Sequence, residues 1–306
     1  MGTSDFAVPA LRALQTAGYP VLLVVTQPDR PAGRGLEIKA SPVKNEALTL
    51  GLALYQPEKI KAPEALETLQ KLQPDVIIVA AYGQILPASV LNIPKIACLN
   101  IHGSILPNYR GAAPIHYAVM NGETETGVTL MYMNERMDEG DLLLVKKTPV
   151  GPEETTGEVH DRLAKLGAEG LLEALELLKR GRAPREPQNH RMASYAPSLK
   201  REQCFILWNA KAEEVVNKIR GLAPWPAAET RWKEVSLKVL AAKVESHEPS
   251  AHQAGEVLKI SREGVAVAAG NGTVILKEIQ PQGKRKMSAF DFTLGHTDFK
   301  PGIVLS

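Results

Sequence analysis

Three short runs that are apolar from end to end constrain the first half of this chain more than any other feature. They are YPVLLVVTQ (Tyr19–Gln27), DVIIVAAYG (Asp75–Gly83) and IACLNIH (Ile96–His102). Runs this short, β-branched and unbroken are buried on both faces, as strands are inside a parallel sheet. Between them lie helical stretches: FAVPALRALQTAG ending at Gly18, SPVKNEALTLG ending at Gly51, and APEALETLQKLQ. Each closes on Gly or lies near Pro, as helix ends do. Strands alternating with helices predict a doubly wound α/β domain. TGVTLMYMN and DLLLVKKTPV add two later strands. At the start, GTSDFA reads as the turn from a first strand into a helix, yet only Met1 precedes it. The first strand is therefore expected to be missing.

A long helix follows the last of these strands. Thr155 and Glu158 form a capping box, and Val159, Leu163, Leu166, Leu171, Leu175 and Leu178 give an apolar face at helical spacing. It stops at GRAPREPQ, a Pro/Arg-rich linker. The expected division is a catalytic domain over 1–180, a linker over 181–200 and a second domain over 201–306. That second domain has one helix, KAEEVVNKIRGL, and then the short strands SLKVLAAKV, GEVLKI, GVAVAAG and GTVILKEIQ. The turns REG and GNG suit hairpins. Such spacing predicts a small β-barrel of the oligonucleotide-binding (OB-fold) type.

Charge divides unevenly. Residues 1–180 hold 17 Lys and Arg against 21 Asp and Glu, and residues 181–306 hold 19 against 13, so −4 and +6 sum to the net +2. A basic second half can meet a polyanion. No run approaches the ~18 apolar residues of a membrane span, and the N-terminus does not read as a signal peptide. Cys98 and Cys204 stand far apart and make neither a disulfide framework nor a metal site. A reducing cytoplasm is the expected compartment, and no metal is expected.

The third apolar run carries chemistry at its end. Asn100 and His102 lie two residues apart, so in a strand they share a face with Cys98. The run breaks at Gly103, and ligands bind at the carboxyl ends of strands in open parallel sheets. A buried polar group left unpaired costs about 1–3 kcal/mol, so two in succession need partners or a ligand. Both side chains can donate to an oxygen that is gaining charge. A third group is needed to orient the imidazole and stabilise its protonated form, and ERMDEGD offers Asp138 and Asp141. Ser104 lies in HGSIL, which lacks the Gly-x-Ser-x-Gly frame of a nucleophile elbow. An Asn–His–Asp set without a nucleophile suits direct acyl transfer through a tetrahedral oxyanion.

The segment NIHGSILPNYRGAAPIHYAVMNGETETGVTLM, followed by MDEGD, resembles the 10-formyltetrahydrofolate-dependent formyltransferases. GTSDFAVPAL, TQPDRPAGRG, SPVK, AYGQILP, IRGLAPWPAA and GKRKMSA extend the likeness over essentially the whole chain. They narrow it to those members that formylate methionyl-initiator-tRNA. The resemblance implies a Rossmann-like catalytic domain with Asn100, His102 and Asp138 as the catalytic set. It implies folate binding by Ser104, Ile105, Leu106 and Pro107, with AYGQIL lining the same pocket. It also implies a monomer in which Arg34, in the insertion after TQPD, leads contact with the tRNA. The chain departs from the family pattern at Ile105, Asn108 and Glu139. A competing enzyme reading keeps the fold and changes the amine: relatives formylate glycinamide ribonucleotide or an amino sugar nucleotide, and one kind hydrolyses the formyl-folate. A tRNA-binding module with a silent site is the reading from another class.

Overall fold

The computed structural model describes residues 1–32, 37–249 and 251–306. The chain forms two compact units, neither continuous in sequence. Met1–Pro114, Thr126–Thr148 and His160–Ala196 make the first; Ile115–Glu125, Pro149–Val159 and Pro197–Ser306 make the second.

The strands up to residue 149 are β1 (Val24–Val25), β2 (Arg30–Ala32), β3 (Glu37–Lys39), β4 (Leu54–Tyr55), β5 (Val76–Val79), β6 (Ala97–His102), β7 (Glu125–Tyr132) and β8 (Leu142–Pro149). The helices in the same part of the chain are α1 (Val8–Thr16), α2 (Pro42–Thr49), α3 (Pro63–Leu72), α4 (Ala88–Leu91) and α5 (Pro114–Met120). The long α6 (Thr156–Lys179) follows them. β1 pairs with β4 in parallel, as β5 does with β6. β7 then joins β6 antiparallel, with Asn100 opposite Met131 and His102 opposite Thr129, and β8 lies beyond β7. The sheet is thus parallel at its centre and antiparallel at one side.

No regular strand precedes α1. Instead Met1–Thr3 insert between β1 and β5: Gly2 N donates to Val25 O, Ala80 N to Met1 O and Thr3 N to Ala81 O. These bonds join the β1–β4 pair to the larger sheet and satisfy backbone groups that would otherwise be orphaned at its centre. The insertion after TQPD forms a short antiparallel ladder, β2 on β3, with Arg30 opposite Lys39; Arg34 lies outside the described residues.

The helices form where their caps and apolar faces direct. The Ser41 hydroxyl accepts from Lys44 N ahead of α2. Thr155 N donates to the Glu158 carboxylate while Glu158 N donates back to the Thr155 hydroxyl, the reciprocal pair that starts α6. α6 lies close on the sheet because a Cβ at Gly167 would stand 2.9 Å from Ile101 Cγ2. α3 buries Ala65 and Leu69, four residues apart, and α4 buries Val90, against Val25, Ile77, Val79 and Cys98. Truncating Leu69 to alanine there costs about 2–5 kcal/mol.

In the second unit α7 (Ala212–Leu222) packs on an antiparallel sheet of β9 (Ala228–Trp232), β10 (Val235–Ser246), β11 (Val257–Ser261), β12 (Gly264–Ala268), β13 (Thr273–Pro281) and β14 (Met287–Ser288). The strand order is β11-β12-β13-β10-β9, with β14 beside β13. The hairpins fall where REG and GNG place them. The last residues link the two edges: Val257 N donates to Ile303 O on one side, and Arg231 and Ser306 exchange backbone bonds on the other. Closure of this kind removes exposed strand edges. Val215, Ile219 and Leu222 of α7 meet Val239, Val267 and Val274 in the core, and Ser288 caps α8 (Ala289–Leu294) through Asp291 N.

Candidate active site

β6 ends inside the first unit with Asn100 and His102 directed to one face. The ring of His102 is buried, 6 % exposed, so each nitrogen needs a partner. Nε2 stands 3.0 Å from the carbonyl oxygen of Tyr109. A carbonyl can only accept, so Nε2 carries a hydrogen. Nδ1 faces Asp138 Oδ1 at 3.6 Å. Each ring nitrogen thus has an oxygen opposite it. Asn100 Nδ2 donates to the same Asp138 oxygen at 3.4 Å. The structure therefore brings Asn100, His102 and Asp138 together; Asp141 instead gives its carbonyl to Tyr132 N.

Asp138 arrives on the loop between β7 and β8. Its φ is 56°, a left-handed conformation unusual for a residue with a side chain, and Tyr109 shares it at 60°. Its second oxygen, Oδ2, accepts from Gly111 N at 2.8 Å. Two residues on, Gly140 passes so close to β7 that a Cβ there would lie 1.7 Å from Tyr132 O. Glycine is required at that position.

Behind the loop is a buried polar cluster that sequence reasoning missed. Arg110, 2 % exposed, donates through Nε and Nη2 to Gln188 Oε1 at 3.2 and 2.7 Å, and through Nη2 to His190 Nδ1 at 3.0 Å. Its Nη1 lies 3.4 Å from the Glu139 carboxylate. Gln188 Nε2 donates to the carbonyls of Asp138 and Gly140 at 2.9 and 2.7 Å. Around it, Leu142 and Glu186 exchange backbone bonds, Arg110 N donates to Ser194 O, and Tyr109 N donates to the Ser194 hydroxyl. The stretch that reads as a linker is thus laced onto the loops of the site. Its only signal in the sequence is a lone Gln after Pro187, too weak to single out.

The segment expected to meet folate is held from within. Ser104 is fully buried and its hydroxyl donates to Asn108 O at 2.6 Å. Thr129 Oγ1 donates to Ser104 O and accepts from Leu106 N, and Leu106 is buried as well. The partly exposed members are Ile105 and Pro107. In AYGQIL, Tyr82 and Leu86 enter the core while Ile85 is 76 % exposed. Among the described residues no group of His, Cys, Asp and Glu is arranged to hold a metal ion. No described helix is long and apolar enough to cross a membrane.

Comparison with known proteins identifies both parts of the chain. A family model described as formyl transferase matches residues 1–175, and one described as formyl transferase, C-terminal domain, matches 198–297. The methionyl-tRNA formyltransferase of Moorella thermoacetica is 49 % identical over 306 residues, covering 100 % of this chain and 97 % of that protein. That of Syntrophus aciditrophicus is 49 % identical over 297 residues, 97 % of this chain and 95 % of that protein. Among solved structures, the N-formyltransferase of Helicobacter canadensis, crystallised with folinic acid and dTDP-3-aminofucose, superposes with a TM-score of 0.67. It is 16 % identical and covers 90 % of this chain and 96 % of that one, a likeness of fold alone.

Proposed function

The chain belongs to the formyltransferase family and matches methionyl-tRNA formyltransferases over its whole length, and on that premise we propose that Asn100, His102 and Asp138 perform its chemistry. The reaction moves the formyl group of 10-formyltetrahydrofolate to the α-amino group of methionyl-initiator-tRNA, for initiation of translation. One observation carries the assignment: an amide and an imidazole at the end of β6 converge on one carboxylate from a separate loop. Ser104, buried with its hydroxyl committed to Asn108 O, is not placed to act as a nucleophile. The transfer is therefore direct.

The methionyl amine attacks the formyl carbon, and the formyl oxygen becomes an oxyanion. Asn100 Nδ2 has a second hydrogen that is not spent on Asp138. His102 Nδ1, at 3.6 Å from the carboxylate, is not committed by a bond of normal length. These are the donors assigned to the oxyanion, a role in which a single group contributes about 10²–10³ in turnover. Asp138 balances the charge on the ring and receives the amine proton through a water. As the bond from the formyl carbon to N10 breaks, N10 gains one proton and the amine has lost one.

The second domain, residues 201–306, is assigned to the tRNA, with Arg34 meeting its acceptor end. Ile105, Pro107 and the backbone of residues 104–107 are assigned to folate. The enzyme acts as a cytoplasmic monomer. Steady-state kinetics of His102→Ala test the central assignment: turnover falls about 10²–10³-fold while folate affinity is kept. Normal turnover in that variant would refute it.

A further inference from the structure

We propose that Arg110 and Gln188 are positioning residues for formyl transfer, a pair that holds residues 138–140 in the conformation presenting the Asp138 carboxylate to Asn100 and His102. The proposal rests on the role of Asp138 assigned above and extends it to two residues that meet neither Asn100 nor His102.

The backbone of Asp138 is in a region that a residue with a side chain enters at a cost of about 1–3 kcal/mol, and such a conformation persists only where its surroundings over-determine it. Gln188 supplies that determination. Its amide nitrogen ties together the carbonyls on either side of Glu139, at Asp138 and Gly140, so the turn between them cannot open without breaking both bonds. The direction of the amide is not arbitrary. Arg110 has only donors, so the Gln188 oxygen must face the guanidinium and the nitrogen must face the loop. Flipping the amide would lose two bonds to Arg110 and two to the loop.

Arg110 is in turn fixed by what it carries. It is buried, and Glu139, the residue between the two tied carbonyls, lies opposite its Nη1. The loop is thus gripped through main chain by Gln188 and through a side chain by Arg110. Arg110 also sits between Tyr109, whose carbonyl meets His102 Nε2, and Gly111, whose N–H holds Asp138 Oδ2. A displacement of its side chain therefore reaches the ring and the carboxylate together. A shift of about 1 Å in a catalytic group can cost on the order of 10²-fold in rate.

A double-mutant cycle on the full chain, assayed with 10-formyltetrahydrofolate and methionyl-tRNA, tests the proposal. Gln188→Glu keeps an acceptor for Arg110 and puts a second carboxylate oxygen where the two carbonyls need a donor. It should lower kcat about 10–100-fold with little change in KM for the folate. Gln188→Met, neutral and of similar volume, should do the same if the glutamate variant fails to fold. In an Asp138→Ala background neither substitution should lower kcat further, because the carboxylate they position is gone. Native kcat in the folded single variants would overturn the proposal, as would an undiminished loss in the Asp138→Ala background. Normal turnover of Asp138→Ala alone would instead overturn the role of Asp138, and the two failures are read from different proteins.

Discussion

Gly111 N–H holds the far oxygen of Asp138 at 2.8 Å, across 27 residues of sequence. That bond decides which way the carboxylate points. With Oδ2 committed to backbone, Oδ1 alone faces Asn100 and His102, and one oxygen serves both. Charge-assisted bonds of this kind are stronger than neutral ones, so a residue in a strained conformation keeps a defined side-chain direction. A single carboxylate oxygen shared by an amide and an imidazole makes the site sensitive to small movements of the loop that carries Asp138.

Gly140→Ala is the most direct disturbance of that loop. The new methyl would collide with the Tyr132 carbonyl, a backbone atom that cannot step aside cheaply. Residues 138–141 must move, and turnover should fall about 10–100-fold. Overpacking should also lower stability by about 1–3 kcal/mol. Kinetics alongside thermal unfolding would check both, and a variant with native turnover would show that the loop has slack.

Alkaline pH should destabilise the protein through Cys98. Burial in the core beside Met133 pushes this thiol up from its ordinary range near 9.0 to about 12. The unfolded thiol ionises first, so the contribution is fully present below pH 9.0 and is lost as pH rises toward about 12. Denaturant titrations across that window should show a decline that is shallower in Cys98→Ala. Iodoacetamide near neutral pH should leave Cys98 unlabelled in the folded protein and label it in denaturant.

Arg34→Ala should weaken the use of methionyl-tRNA and spare the folate. Losing one charge-assisted contact costs about 1.5–3 kcal/mol, or about 10–100-fold in kcat/KM for the tRNA. Equal tRNA kinetics in the two proteins would remove this residue from recognition.

Salt should act on one substrate only. Lys284, Arg285 and Lys286 are exposed beside β14, and each phosphate contact adds about 0.7–0.9 to the slope of log affinity against log salt. Replacing the three by alanine should lower that slope for tRNA by about one for each residue that contacts phosphate. An unchanged slope would remove these three residues from tRNA binding.

Much of this molecule was legible in its sequence, for physical reasons that differ by region. β6 and its polar end were legible because strand alternation is local: an amide and an imidazole two residues apart must share a face. The start of α6 was legible because a capping box spans three residues. The antiparallel placement of β7 was not, since an apolar run carries no mark of direction. Nor was the insertion of Met1–Thr3 into the sheet, which depends on backbone bonds to Val25 and Ala80 rather than on side chains. Gln188 was illegible for a third reason. Its partners lie 48 to 78 residues away, and a Pro- and Arg-rich neighbourhood looks like a tether.

That tether has a practical consequence for dissecting the enzyme. A fragment ended at residue 180, where the helical pattern stops, would carry Asn100, His102, Asp138 and Arg110 but neither Gln188 nor Ser194, which hold the loops of the site from behind. Such a fragment would keep its sequence motif and lose the bonds that Gln188 and Ser194 make to the loops around it. The last segment of the first compact unit runs on to Ala196, at the far end of the stretch that looks most dispensable.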